Sequence, residues 1–151
     1  MKLIKVKKVL IAMDYDETSK KVAEEGFSIA TAMNAETILL HVVSADPVYY
    51  SAYTYMFEFQ VEVLNDLKAS TQIFLDKVKN HLGDKSIQTV LKEGDIADNI
   101  LKTAKELDVD MIVVGSHSRK WLESIFLGSQ AQDLLAKTTL PLLIVPTRKN
   151  E

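Results

Sequence analysis

No cysteine occurs among the 151 residues, which excludes a disulfide framework, thiol catalysis and cysteine-held metal, and fits a reducing cytoplasm. No apolar stretch approaches the ~20 residues that a membrane span requires. The apolar run Val9–Met13 follows a cluster of lysines (Lys2, Lys5, Lys7, Lys8) but stops at Asp14, too short for a signal-peptide core. Positive charge is not in excess either: 18 Lys and Arg stand against 21 Asp and Glu, a net charge of −3. That balance argues against nucleic acid or an anionic membrane as the main partner. The sequence has no Gly-x-x-x-x-Gly-Lys-Ser/Thr phosphate loop, no Gly-x-Gly-x-x-Gly and no Gly-x-Ser-x-Gly elbow. His41, His81 and His117 are scattered without metal-ligand spacing. Covalent hydrolases and metalloenzymes therefore have little support, and neither a catalytic residue nor a protein-held metal is assigned.

What is present is ordinary for a soluble globular chain: 47% apolar and 26% charged residues. A length of 151 residues suits one domain, 1–151, large enough to bury roughly 70% of the surface its unfolded form exposes. Lys8–Met13 reads as a first strand buried on both faces. Asp14–Ser19 supplies turn and helix-cap chemistry, and Val22, Ala23, Gly26, Phe27, Ala30 and Met33 then recur at helical spacing until Asn34. Thr37–Val43 is a second buried strand. After a loop marked by Asp46-Pro47, a long amphipathic helix runs from Phe57 to Leu82 and stops at Gly83. Ile87–Leu91 is a weaker strand suited to an edge, with Glu93-Gly94-Asp95 turning the chain and Asp95 capping a third helix that extends to Leu107. Met111–Val114 is the fourth strand; Ala131, Leu134 and Leu135 mark the fourth helix. Leu142–Val145, bracketed by Pro141 and Pro146, is a last strand placed at an edge because proline cannot donate to a ladder. The order βαβαβαβαβ predicts an α/β fold: a doubly wound open sheet of five parallel strands with helices on both faces. Such sheets bind ligands beyond the carboxyl ends of their strands, where strand order reverses.

The stretch following the fourth strand carries the functional signal. It leaves the strand at Gly115, crosses a polar, basic segment and reaches Gly128-Ser129, where a helix begins. Unpaired N–H groups and the dipole at a helix start favour anions. With Gly115-Ser116-His117-Ser118, nine intervening residues and Gly128-Ser129, the sequence resembles the universal stress protein family, whose nucleotide-binding members carry Gly-two-Gly-nine-Gly-Ser/Thr here. Asp14 at the end of the first strand, Leu39-Leu40-His41-Val42, Val113-Val114-Gly115 and Pro141–Val145 extend the resemblance over essentially the whole chain.

The resemblance implies an adenine nucleotide alpha hydrolase-like fold and an ATP site, with any Mg²⁺ held by the phosphates. It places Ala12, Met13, Asp14, Val42, Val114, Gly115, His117, Ser118, Gly128, Ser129 and Gln130 around the nucleotide. Asp14 would accept ribose hydroxyls. Ala12 and the Val42 backbone would line the adenine, Gly115 would admit the sugar and α-phosphate, and Gly128 and Ser129 would face the outer phosphates. The alternative role for Asp14 is a plain helix cap, and for Arg119 and Lys120 solvated loop charge. Ser118 departs from the family pattern, which has its second glycine there. If that position needs a positive φ, serine costs roughly 1–2 kcal/mol, about five- to thirtyfold in affinity.

The resulting expectation is a cytoplasmic, ATP-binding regulatory protein of the stress response, acting as a nucleotide-dependent dimeric module. Two alternatives stay open: an interaction protein that no longer binds nucleotide, and a slow ATPase or phosphotransferase with Asp14 or Asp16 beside a Mg²⁺-bound phosphate. The edge strand Leu142–Val145 predicts a homodimer by pairing with its own copy. Tyr49–Phe57, with four of the five tyrosines, is either a protein-partner surface or lid, or the packed approach to the long helix. Trp121 is either an anchor for its loop or an exposed contact.

Overall fold

A computed structural model describes residues 1–44, 57–116 and 129–147, with side chains from Leu64 onward in the helix that begins at Phe57. Among them are five strands, β1 (Lys8–Ala12), β2 (Glu36–Ser44), β3 (Gln88–Gly94), β4 (Met111–Gly115) and β5 (Leu142–Val145). Four helices alternate with them: α1 (Ser19–Ala32), α2 (Phe57–Leu82), α3 (Ile96–Glu106) and α4 (Ser129–Lys137). All strand pairs are parallel, in the order β3-β2-β1-β4-β5. The chain builds outward from β1 to β3, returns to the other side of β1 for β4, and ends on β5. β3 and β5 are thus the edges, as their polar content and flanking prolines predict.

Strand residues alternate between two cores. On one face Val9, Ile11, Met13, Leu39 and Val113 pack with Val22, Ala23 and Ala30 of α1 and Leu75 and Val78 of α2. On the other, Leu10, Ile38, Leu40, Val42, Ile112 and Val114 pack with Ala97, Ile100 and Ala104 of α3 and Ala131 and Leu134 of α4. This division follows from right-handed crossovers: connections that step one way across the sheet lay their helices on one face, those that step back on the other. α1 lies closest to the sheet at Gly26, where a Cβ would sit 2.8 Å from Ile11 Cδ1 and 3.2 Å from Val113 Cγ1.

Helix ends follow the sequence with two exceptions. Asn34 takes φ 54° after α1, and Gly83 takes φ 77° after α2, the left-handed conformation that asparagine and glycine tolerate best. Asp95 caps α3, its carboxylate accepting the Asp98 N–H at 2.9 Å. The first exception is the start of α1. Its cap residue, Thr18, makes no side-chain cap bond, and no acidic residue stands in the first turn. Asp16 instead accepts both the N–H and the O–H of Thr18, at 2.8 and 2.6 Å, closing a tight turn ahead of the helix. The second is β3, which pairs with β2 through Glu93 and Gly94 rather than turning there. The β2 ladder, continuing to Ser44, holds that pair extended.

At the amino end of the sheet, Asp110 joins β1 to β4. Its carboxylate accepts the Lys7 and Lys8 N–H groups at 2.8 and 3.0 Å, while its own N–H donates to the Lys8 carbonyl at 2.9 Å.

Candidate functional site

β1 and β4 are hydrogen-bonded neighbours although two strands separate them in sequence. Strand order reverses between them, the position at which open α/β sheets form a ligand crevice beyond their carboxyl ends. β1 ends at Ala12, and Met13 continues it by one bond, its N–H donating to the Leu40 carbonyl at 2.9 Å. Asp14 follows and is exposed. It stands four residues before Thr18, the cap residue of α1.

Side-chain parity decides what faces the crevice. Val42 and Val114 belong to the core under α3 and α4, with Ala12 half-buried against it. Together these three form an apolar floor on one face of the sheet. The Met13 side chain turns the other way, into the core under α1 and α2. Met13 therefore meets the crevice only as backbone.

β4 ends at Gly115, paired with Val145 of β5. Ser116 is then tied to the chain leaving that edge strand. Its N–H donates to the Val145 carbonyl at 2.9 Å, and its hydroxyl accepts the N–H of buried Thr147 at 3.1 Å. Lys21 of α1 reaches the same segment, its Nζ donating to the Pro146 carbonyl at 2.6 Å. The root of the loop after β4 is thus fixed to both α1 and β5.

α4 begins at Ser129, with Ser129 and Gln130 exposed. A helix joining two parallel strands runs opposite to them, so this N-terminus stands at the carboxyl end of the sheet, with its unpaired N–H groups and positive dipole end. His117, Ser118, Arg119, Lys120, Trp121 and Gly128 lie outside the described residues, as do Tyr49 to Met56. Of the expected site residues, the structure brings Ala12, Asp14, Val42, Val114 and Gly115 to one end of adjacent strands, with Ser129 and Gln130 opening the helix that follows.

Two groups are tuned by local partners rather than by this crevice. Hydrogen bonds from the Ser86 hydroxyl and N–H hold the Asp84 carboxyl below its ordinary value of 3.8, and bonds to Asp98 and Asp133 raise Lys137 above 10.5. Among the described residues no cluster of three or more His, Asp or Glu is arranged to hold a metal ion, and no helix is long and apolar enough to cross a membrane.

Sequence reasoning passed over one residue near the site. His41 was legible only as part of an apolar strand, yet its Nδ1 lies 2.6 Å from the Met13 carbonyl. A lone polar side chain inside a buried strand was the available signal, because such a group needs a partner.

Comparison with known proteins agrees with this architecture. Residues 5–146 match the universal stress protein family. The universal stress protein YxiE of Bacillus subtilis is 33% identical over 144 residues, an alignment covering 91% of this chain and 97% of that protein. The solved structure of the hypothetical protein MJ0577 superposes with a TM-score of 0.77 at 28% identity, over 98% of this chain and all of the other. A universal stress protein solved in complex with cAMP shares the fold at a TM-score of 0.67 and 19% identity, over 96% of this chain and all of that one. An adenine nucleotide alpha hydrolase-like sheet, with its strand-order reversal at Asp14 and Gly115 and a match that runs from Lys5 to Pro146, places this chain in the universal stress protein family.

Proposed function

We propose that this protein binds an adenine nucleotide, ATP in the first instance, in the crevice beyond β1 and β4, and acts as a regulatory module rather than as an enzyme. The observation that carries this reading is the convergence of an exposed carboxylate, Asp14, with the apolar floor of Ala12, Val42 and Val114 at the strand-order reversal. An apolar floor suits a purine face, and an ionised carboxylate at its rim suits vicinal ribose hydroxyls, which donate to it. Gly115 leaves the approach to the sugar free of a side chain. The phosphates extend toward the start of α4, where Ser129 offers N–H and hydroxyl donors. Residues Met13, His117, Ser118, Gly128 and Gln130 complete the proposed surround, and any Mg²⁺ is carried by the phosphates. The family's solved member with cAMP supports the ligand class. The edge strand β5, whose one side has no ladder partner among the described residues, supports pairing with a second copy. A cytoplasmic location suits the ligand.

Calorimetric titration of the purified protein with ATP tests the proposal. Binding is expected in the micromolar to millimolar range, and Asp14→Ala weakens it about tenfold, the loss of hydrogen bonds to a charged acceptor. Absence of binding by the parent protein at millimolar ATP overturns the reading. That result would favour an interaction protein without nucleotide, the alternative favoured by serine at position 118 in place of the family's glycine.

A further inference from the structure

His41 is the one polar residue in an otherwise apolar run, Ile38 to Val43, of central strand β2. Its half-buried ring lies on the α1 and α2 side of the sheet, opposite the apolar floor of the crevice. The Met13 carbonyl 2.6 Å from Nδ1 can only accept, so Nδ1 carries the hydrogen and donates it. The Met13 N–H is already bonded to the Leu40 carbonyl. Consecutive residues of β2 therefore hold both polar groups of Met13, one with its backbone and one with its side chain.

Asp14 is fixed from its other side as well. The Tyr15 ring, 51% exposed, packs against Phe74 of α2 with centroids 4.7 Å apart and meets the edge of His41 at 6.3 Å. The Met13 carbonyl and the Asp14 N–H share one planar peptide unit. Anchoring that carbonyl sets the orientation of the plane, and with Tyr15 held on the following side it restricts the direction in which the Asp14 Cβ leaves the backbone.

We infer that His41 is a positioning residue: by holding the Met13 carbonyl from the far face of the sheet, it aims the Asp14 carboxylate at the ribose of the bound nucleotide. The inference rests on the adenine-nucleotide reading above and deepens it. His41 itself makes no contact with the ligand. Ribose recognition then depends on a donor at the Nδ1 position, not on an imidazole as such.

The test compares His41→Leu, which keeps bulk and removes the donor, with His41→Asn, whose amide N–H replaces Nδ1–H. Each is titrated by calorimetry with ATP and with 2′,3′-dideoxy-ATP, alone and in an Asp14→Ala background. The parent protein is expected to prefer ATP over the dideoxy analogue about tenfold, the worth of hydrogen bonds to a charged acceptor. His41→Leu lowers ATP affinity about three- to tenfold while leaving affinity for the analogue within about twofold, so the preference collapses. His41→Asn restores it, and in the Asp14→Ala background His41→Leu has no further effect. A merely structural loss would weaken both ligands alike and would not be rescued by asparagine. A His41→Leu protein that binds ATP with its ribose preference intact overturns this inference alone. Absence of ATP binding by the parent protein overturns the adenine-nucleotide reading and the inference with it.

Discussion

Gly26→Ala sets two effects of opposite sign against each other. Alanine is favoured over glycine in a helix interior by about 1 kcal/mol, so an exposed site would gain stability. At position 26 the new methyl carbon falls 2.8 Å from Ile11 Cδ1, 3.0 Å from Ile11 Cγ1 and 3.2 Å from Val113 Cγ1. All three distances are well inside ordinary carbon–carbon contact of about 3.5–4.0 Å. Ile11 and Val113 are fully buried, so neither has open space into which to turn. All three contacts come from two strands, β1 and β4, whose positions are fixed by ladders on both sides. Relief requires α1 to lift or Ile11 to leave its rotamer, and overpacking of this kind costs about 1–3 kcal/mol. The net expectation is destabilisation of about 1 kcal/mol, or about 2–4 °C in Tm for a chain of this size. Urea unfolding followed by circular dichroism should show a lower midpoint with an unchanged slope. A Gly26→Ala protein that is more stable than the parent would refute the close seating of α1 on β1 and β4.

Asp110→Ala removes the acceptor shared by the Lys7 and Lys8 N–H groups. The Lys7 donor re-solvates and the part-buried Lys8 donor does so incompletely, so a loss of about 1.5–3 kcal/mol is expected. Faster hydrogen exchange at Lys8 would accompany it, and unchanged protection there would contradict the assignment. For Asp84, the Ser86 hydrogen bonds lower the folded-state carboxyl below 3.8. A depressed carboxyl contributes stability that is present above the unfolded value and lost as pH falls through the folded one. Ser86→Ala is therefore expected to raise the Asp84 midpoint toward 3.8 in a carboxyl NMR titration, with any loss of stability present near neutral pH and fading as pH falls through the folded value; an unmoved midpoint would show that the serine is not the cause.

Most of the fold was legible because apolar runs and helical periodicity coincide with real burial. Val9–Met13, Thr37–Val43 and Met111–Val114 could only be strands covered on both faces. The glycine and asparagine at helix ends marked their stops by conformation. The crowd of polar residues between Asp14 and Ser19 was less informative: several could cap a helix, and only coordinates show Asp16 closing its own turn with Thr18. β3 ran on to Gly94 because ladder bonds to β2 outweigh a local turn signal. At the site, residue identity along the apolar run placed Ala12, Met13 and Asp14 together, but which of them faces a ligand depends on parity, and a run without alternation does not declare it. The Ser116–Thr147 and His41–Met13 bonds join residues far apart in sequence and leave no local pattern.

That missing alternation bears on how β1 tolerates insertions and deletions. Val9-Leu10-Ile11-Ala12-Met13 is apolar throughout, so sliding it by one residue against β2 and β4 keeps apolar residues in all but its end positions. Such a slip would nevertheless exchange the two faces, bringing the long Met13 side chain to where the small Ala12 leaves room and turning Asp14 away. The core opposes it at the end of the strand, where Asp14 would fall into the buried position of Met13. The Asp110 carboxylate on Lys7 and Lys8 fixes the strand where it enters, and the His41 ring on Met13 fixes it where it leaves. A single-residue deletion between those two anchors would keep a foldable, apolar strand and lose the binding end, because only one anchor at a time could then be satisfied.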